Sequence, residues 1–195
     1  IPFTLIAWGE TRITSGLTGI LNATTPLLTI VIAHLFLSDQ RITPSKLLGL
    51  MFGFAGIVLL FSHDIVLYGL SGNIWAQIAI ICASISYAVS AVYTRRVLGG
   101  QHPITLAAIS LTGAMVMMWV LTSLIDGALT WPKSPIVWVA ATWLGLIGTA
   151  LAYPLLFYLI RTWGPTRTMT VTYLIPIVAV TLGIVFLAET LNLYL

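Results

Sequence analysis

A short segment occurs twice in this chain, 150 positions apart, and it restricts the fold more than any other feature of the sequence. Pro26 opens PLLTIVIAHLFLSD, which ends at Asp39, and Pro176 opens PIVAVTLGIVFLAE, which ends at Glu189. Each copy sets a proline within an apolar helix and a carboxylate thirteen residues later, just past Phe36-Leu37 or Phe186-Leu187. Along the hydropathy, the second copy comes five membrane crossings after the first. An odd number of crossings reverses direction, so the two copies are expected to be inverted relative to one another in a bilayer. Inverted repeats with interrupted helices are the construction of secondary transporters, whose binding site lies at the repeat interface near the midplane.

That a bilayer is the solvent follows from composition. The chain is 59% hydrophobic and 7% charged, with a mean hydropathy of +1.06, whereas a soluble domain carries roughly 25% charged residues. The net charge of +3 is spread over helix ends, with no basic face for a nucleic acid. Cys82 is the only cysteine and sits in an apolar run, where it reads as a small packing residue; there is no disulfide framework and no thiolate metal site. No His/Glu spacing suits a metal, and neither a metal nor a cofactor is expected. Residue 1 is Ile, without a signal peptide or lipidation motif, and the text opens in mid-helix, so the chain reads as a piece of a longer one.

A partial span from Ile1 to about Gly9 precedes six full ones, at roughly 14–37, 47–61, 74–93, 104–125, 136–160 and 166–187. Each is long enough to cross about 30 Å of hydrocarbon, the second only barely. Pro44, Pro103, Pro135 and Pro165 fall at helix starts, where a missing N–H costs least. Pro26, Pro154 and Pro176 fall inside spans and need partners from neighbouring helices. Alternate loops carry Arg41, Lys46, Arg95, Arg96, Arg161 and Arg167 on one side, against Arg12 and Lys133 on the other. Six against two places the loop after Asp39 in the cytoplasm and the loop after Glu189 outside, as the inverted repeat requires. The expected fold is an all-α polytopic bundle of inverted five-helix repeats. The parent would have ten helices, with the end of the first repeat over 1–62 and a second repeat lacking its last helix over 63–195.

These residues resemble the EamA family of the drug/metabolite transporter superfamily. GLTGILNATTPLLTIVIAHLFLSDQRITPSKLLGLMFGFAGIVLLF is similar to the end of that family's first repeat, and YPLLFYLIRTWGPTRTMTVTYLIPIVAVTLGIVFLAE to the matching part of its second. Asp39-Gln40 stands where Gly-Glu-Arg is usual, and Ile175 where Glu often precedes the proline. The resemblance implies a multi-pass protein of the cytoplasmic membrane that exports or exchanges small metabolites, often amino acids.

Asn22, Thr25, Pro26 and Thr29 form a polar stripe on one helix face. Thr168, Thr172 and Pro176 form its counterpart, with Tyr173 alongside. A proline frees the carbonyl four residues earlier, here those of Asn22 and Thr172, and both positions bear polar side chains. The stripes are candidates for a hydrogen-bonding solute; alternatively, their side chains satisfy the freed backbone or bond across helices. Trp8, Tyr153 and Tyr158 could line the same cavity, although Trp and Tyr also serve as interfacial anchors. His34 is the only ionisable candidate for proton coupling. The small-residue series Gly49, Gly53 and Gly56 reads as a close-packing face.

Two other classes compete with a carrier. Gly69-Leu70-Ser71-Gly72 matches the Gly-x-Ser-Gly of rhomboid proteases, but no later span contains a histidine, and a serine without a base in reach is not an activated nucleophile. A purely structural membrane subunit would leave the inverted repeat without a purpose. The expected partners are therefore the lipid bilayer, a small solute and protons, with no nucleic acid.

Overall fold

A computed structural model of the chain describes residues 2–60, 62, 73–125, 132, 134–175 and 178. Among the described residues every regular element is helical. Helix α1 covers Pro2–Glu10, α2 Ser15–Asn22, α3 Thr25–Phe36, α4 Pro44–Leu60, α5 Ile74–Val97 and α6 Pro103–Ile125. Helix α7, Pro135–Trp143, passes through a π-helical segment at Leu144–Leu151 into α8, Ala152–Trp163; α9, Pro165–Met169, tightens into a 3₁₀ segment at Thr170–Leu174.

The ends of these helices follow from local chemistry. Thr14 caps α2 by accepting the Leu17 N–H at 3.3 Å, and Asn73 caps α5 by accepting the Trp75 N–H at 2.9 Å. Arg95 and Arg96 in the last turn of α5 face the negative end of its dipole. Four stretches are long and apolar enough to cross a membrane: Gly16–Phe36, Ile74–Val97, Pro103–Leu124 and Pro135–Trp163. This is a polytopic helical membrane protein. The expected second span is the shorter apolar helix Pro44–Leu59, and of the sixth only the first turns lie within the described residues.

Helix α5 is the centre of the bundle. Ala76, Ile80, Ser84 and Ala88, four residues apart, are fully buried, as is Ala83. Small side chains at this spacing let backbones approach closely, which is what drives helix association in lipid. Against this face lie α1, α2, α3 and α9, with α8 touching its end. The side-chain contacts give the directions. Ile13 and Leu17 pack at Ala76 and Ile80, Ser84 meets Asn22, and Val92 packs at Ala33 and Leu37. Thus α2 and α3 run parallel to α5.

Helix α9 runs the other way. It begins at Gly164, which abuts Gln40, and by Tyr173 it has reached Gly53 and the Ile20–Ala23–Ile57 cluster. Helix α9 with its 3₁₀ extension is therefore antiparallel to α3. Among the described residues Gly53 packs closely, under the Tyr173 ring, whereas an added Cβ at Gly49 or Gly56 would meet no described residue within 4 Å. The close-packing face of α4 is instead Leu50, Gly53, Phe54 and Ile57.

Candidate functional site

The first proline interrupts its helix before the ring is reached. Ala23 and Thr24 form a turn between α2 and α3, and Pro26 sits in the first turn of α3. Pro26 has no N–H, so the Asn22 carbonyl loses its ordinary helical donor. The Thr25 hydroxyl takes that place, donating to the Asn22 carbonyl at 2.7 Å. The Thr29 hydroxyl likewise donates to the Thr25 carbonyl at 2.7 Å. Thr25, Pro26 and Thr29 are all buried at the seam where α3 meets α5 and α9.

Asn22 differs from the rest of its stripe, being only half-buried. Its Oδ1 lies 3.4 Å from both the Thr25 and the Ser84 hydroxyls. Ser84 has one proton to give and three oxygens around it: the Ile80 carbonyl at 3.1 Å, and the Leu21 carbonyl and Asn22 Oδ1 at 3.4 Å. It is fully buried. The Asn22 Nδ2 donates to no described residue, so a hydrogen-bonding group remains open at the break between α2 and α3. In the sequence Ser84, like Tyr87 and Ser90 on neighbouring helix positions, reads as intermediate between cavity lining and packing. Only its four-residue spacing from Ile80 and Ala88 marks it as facing inward.

The second stripe is similarly self-contained. The Thr168 hydroxyl, buried, donates to the Gly164 carbonyl at 2.8 Å, and the Thr172 hydroxyl, half-buried, donates to the Met169 carbonyl at 2.8 Å. Tyr173 reaches across to α4, donating to the Leu50 carbonyl at 3.3 Å. Pro176 lies outside the described residues, as do Ser71, His63, Lys133 and Glu189.

The two candidate tyrosines of α8 part company. Tyr153 turns inward, edge-on to Phe157 at 6.1 Å and against the cluster of Ala91, Leu106 and Ile160. Tyr158 turns outward into an open groove of about 740 Å³ shared with Pro154, Leu155, His102 and Arg161. Trp8 is exposed, with the Arg12 guanidinium 4.2 Å above its ring, an arrangement suited to a membrane interface. His34 lies on the exposed face of α3, its Nδ1 accepting the Ile42 N–H at 3.5 Å. That face is opposite the one carrying Thr29 and Ala33.

One end of the bundle is tied by polar contacts. Asp39, just past α3, accepts from Arg95 at 2.9 Å. Arg95 also donates to the Arg161 carbonyl at the end of α8, and Arg161 reaches the Gln101 carbonyl at 3.5 Å. The Arg95 hydrogen bond holds the Asp39 carboxyl below its ordinary value of 3.8. Gly164, with φ +85°, closes the same corner; a Cβ there would collide with the Gln40 side chain. The loops that carry most of the basic residues therefore share one end, while Arg12 sits at the other, beside the start of α5.

Comparisons with known proteins place these features in context. The sequence profile of the EamA-like transporter family matches residues 1–62 and 74–195. The "Uncharacterized inner membrane transporter YedA" of Escherichia coli K12 is 33% identical over 93% of this chain and 57% of its own length. An "Uncharacterized transporter" of Archaeoglobus fulgidus is 23% identical over 95% of the chain and 64% of its own length. "Uncharacterized transporter YvbV" of Bacillus subtilis is 27% identical over 87% of the chain and 54% of its own length. The chain spans a little over half the length of the curated relatives it matches. No solved structure matches it.

Proposed function

The chain belongs to the EamA-like transporter family, and we propose that it forms most of a secondary carrier that moves a small neutral or zwitterionic metabolite, an amino acid or its like, out of the cell across the cytoplasmic membrane. The carrier works by alternating access of two inverted repeats, the first ending near residue 62 and the second beginning at 63, with the loops around Asp39 and Arg161 in the cytoplasm. The solute meets the carrier at Asn22, Thr172, Tyr173 and Tyr153. Thr25, Pro26, Thr29, Thr168 and Pro176 shape the helix breaks around it, and Tyr158 stands at the rim.

One observation carries this reading. Helices α3 and α9 run antiparallel through a shared seam, and the break before α3 leaves the amide of Asn22 open. Broken helices at a repeat interface supply transporters with backbone and side-chain groups for the solute. No Asp, Glu, Lys, Arg or His of α1 to α9 lies away from a helix end among the described residues, which favours a solute without net charge. The names of the relatives, and for the first of them its inner-membrane place, point the same way. The place of His34 on the outer face of α3, where its Nδ1 accepts the Ile42 N–H, favours a loop anchor over proton coupling.

Flux and stability, measured on the same variants of the full-length protein, test the proposal. Asn22→Leu and Thr172→Val should each weaken solute flux in proteoliposomes about five- to hundredfold, as loss of a hydrogen bond in a dry site does, with unchanged membrane insertion and melting. Reduced melting with normal flux per folded molecule would return both residues to a packing role.

A further inference from the structure

The offset that relates the two repeats also relates Phe3 to Tyr153, 150 positions apart. Both pack against α5, at or near one residue that belongs to neither pair. Tyr87 lies just past the middle of α5, which runs from Ile74 to Val97. The Phe3 ring of α1 meets it edge-on, with centroids 6.0 Å apart and planes at 90°. Tyr153 of α8 packs against the cluster that includes Ala91, one turn further along α5. A point near two repeat-equivalent positions lies near the axis that exchanges the repeats, where carriers of this construction hold their solute.

The polar groups here are unspent. Tyr87 and Tyr153 are half-buried, and neither hydroxyl hydrogen-bonds to any described residue. Tyr173, at similar burial, reaches the Leu50 carbonyl. A buried tyrosine hydroxyl normally finds a partner, and within a bilayer lipid offers none. One turn back along α5, Ser84 faces Asn22, whose amide Nδ2 is also open. Three aromatic rings, with two hydroxyls and one amide that have no partner among the described residues, thus lie along neighbouring turns of α5 and the helices against it. The charged groups on these elements, Glu10, Arg12, Arg95, Arg96 and Arg161, all lie at the ends.

We infer that Tyr87, with Tyr153, Phe3 and Asn22, forms a subsite for a small neutral solute that has a flat apolar face and a hydrogen-bonding group at its edge. The rings pack on the flat face, while the hydroxyls and the amide take the polar edge. This deepens the carrier reading by naming the class of solute, and it rests on that reading for the site's purpose.

Cysteine accessibility tests it without a known substrate. In a full-length Cys82→Ala background, which removes the exposed native thiol, Tyr87→Cys and Tyr153→Cys should react with a cationic methanethiosulfonate at least tenfold faster than Ile85→Cys on the outer face of α5. Benzamide, nicotinamide or indole-3-acetamide should slow labelling of Tyr153→Cys severalfold, and acetamide, which has the amide without the ring, should not. Adding Tyr87→Phe should raise the protecting concentration about three- to tenfold, and Tyr87→Leu further. Unreactive cysteines at 87 and 153 would remove the subsite from the pathway. Reactive cysteines that no ring-bearing amide protects, or that acetamide protects equally, would overturn the solute class. Because labelling reads occupancy and not flux, a protected site in a protein that moves nothing would sink the carrier and leave the subsite standing.

Discussion

Pro26 and Pro154 each remove an N–H from the middle of an apolar span, and the two spans absorb the loss in different ways. The first breaks outright into α2 and α3, with Thr25 capping the freed carbonyl and Ser84 of α5 pressed against the break. The second stays continuous, widening into a π-helical segment at Leu144–Leu151 just before its proline, where the Thr149 hydroxyl reaches back to the Leu144 carbonyl at 3.1 Å. Surroundings account for the difference. Among the described residues, 39% of the first span's most apolar window is buried and 11% of the second's, so in this structure the first has more neighbouring side chains to pair what a break exposes. A span facing lipid must settle its hydrogen bonds within itself, and a π-bulge does that by shifting register instead of opening a turn. The same chemical insult thus makes a polar site where helices surround it and a sealed bulge where they do not.

The largest test of this contrast is steric. Ala83→Leu, in the fully buried face of α5, should destabilise the protein by about 1–3 kcal/mol through overpacking, seen as a lower melting temperature in detergent. Ala150→Leu, exposed within the π-helical segment, should stay within about 0.5 kcal/mol of wild type. Equal costs at the two positions would mean the spans are not differently surrounded. Next in size is restoring the missing donor. Pro26→Ala should cut proteoliposome flux severalfold, because a continuous helix competes with Thr25 for the Asn22 carbonyl, whereas Pro154→Ala should change flux less than twofold and contract the bulge, detectable by amide hydrogen exchange.

A smaller effect is expected at the contact between the broken span and α5. Ser84→Ala should cost roughly 0.6–1 kcal/mol of stability, the usual worth of a polar contact between membrane helices, and Ser84→Thr should restore part of it. The smallest belongs to the tied end. Asp39→Asn should cost at most about 1 kcal/mol, since the Arg95 pair is largely exposed and screened. Arg95 depresses the folded pKa of Asp39, so the pair's stabilisation is fully present above the unfolded value near 3.8. It is lost as pH falls through the lower folded value. Chemical denaturation of wild type and variant should therefore differ at pH 6 and converge in strong acid.

How much of this was readable in the residues varies with the kind of signal. Helix starts at Pro44, Pro103 and Pro135 and the break near Pro26 follow from local backbone chemistry, and the structure has them. The glycines of α4 show the opposite case: their spacing suggests a packing face, and among the described residues Gly53 alone meets a neighbour, because which side of a helix is covered depends on its partners. Asn22 was visible as a polar residue four positions before a proline. That Ser84, 62 positions away, is its neighbour was not, since nothing in an alanine-rich helix says which serine will face which break.

The sequence by itself determined the solvent and the helical class, and it carries the expectation of an inverted pairing of the two proline segments, because hydropathy, helix length and alternation of direction are properties of successive residues. Only the tertiary structure decided that α5 is the hub, that Thr25 and Thr29 spend their hydroxyls on carbonyls in or beside their own helix, and that the Phe3 ring meets Tyr87 edge-on. Those outcomes depend on which helix faces touch, and in a bilayer, where almost every face is apolar, close packing of small side chains and the pairing of a few polar groups choose among them.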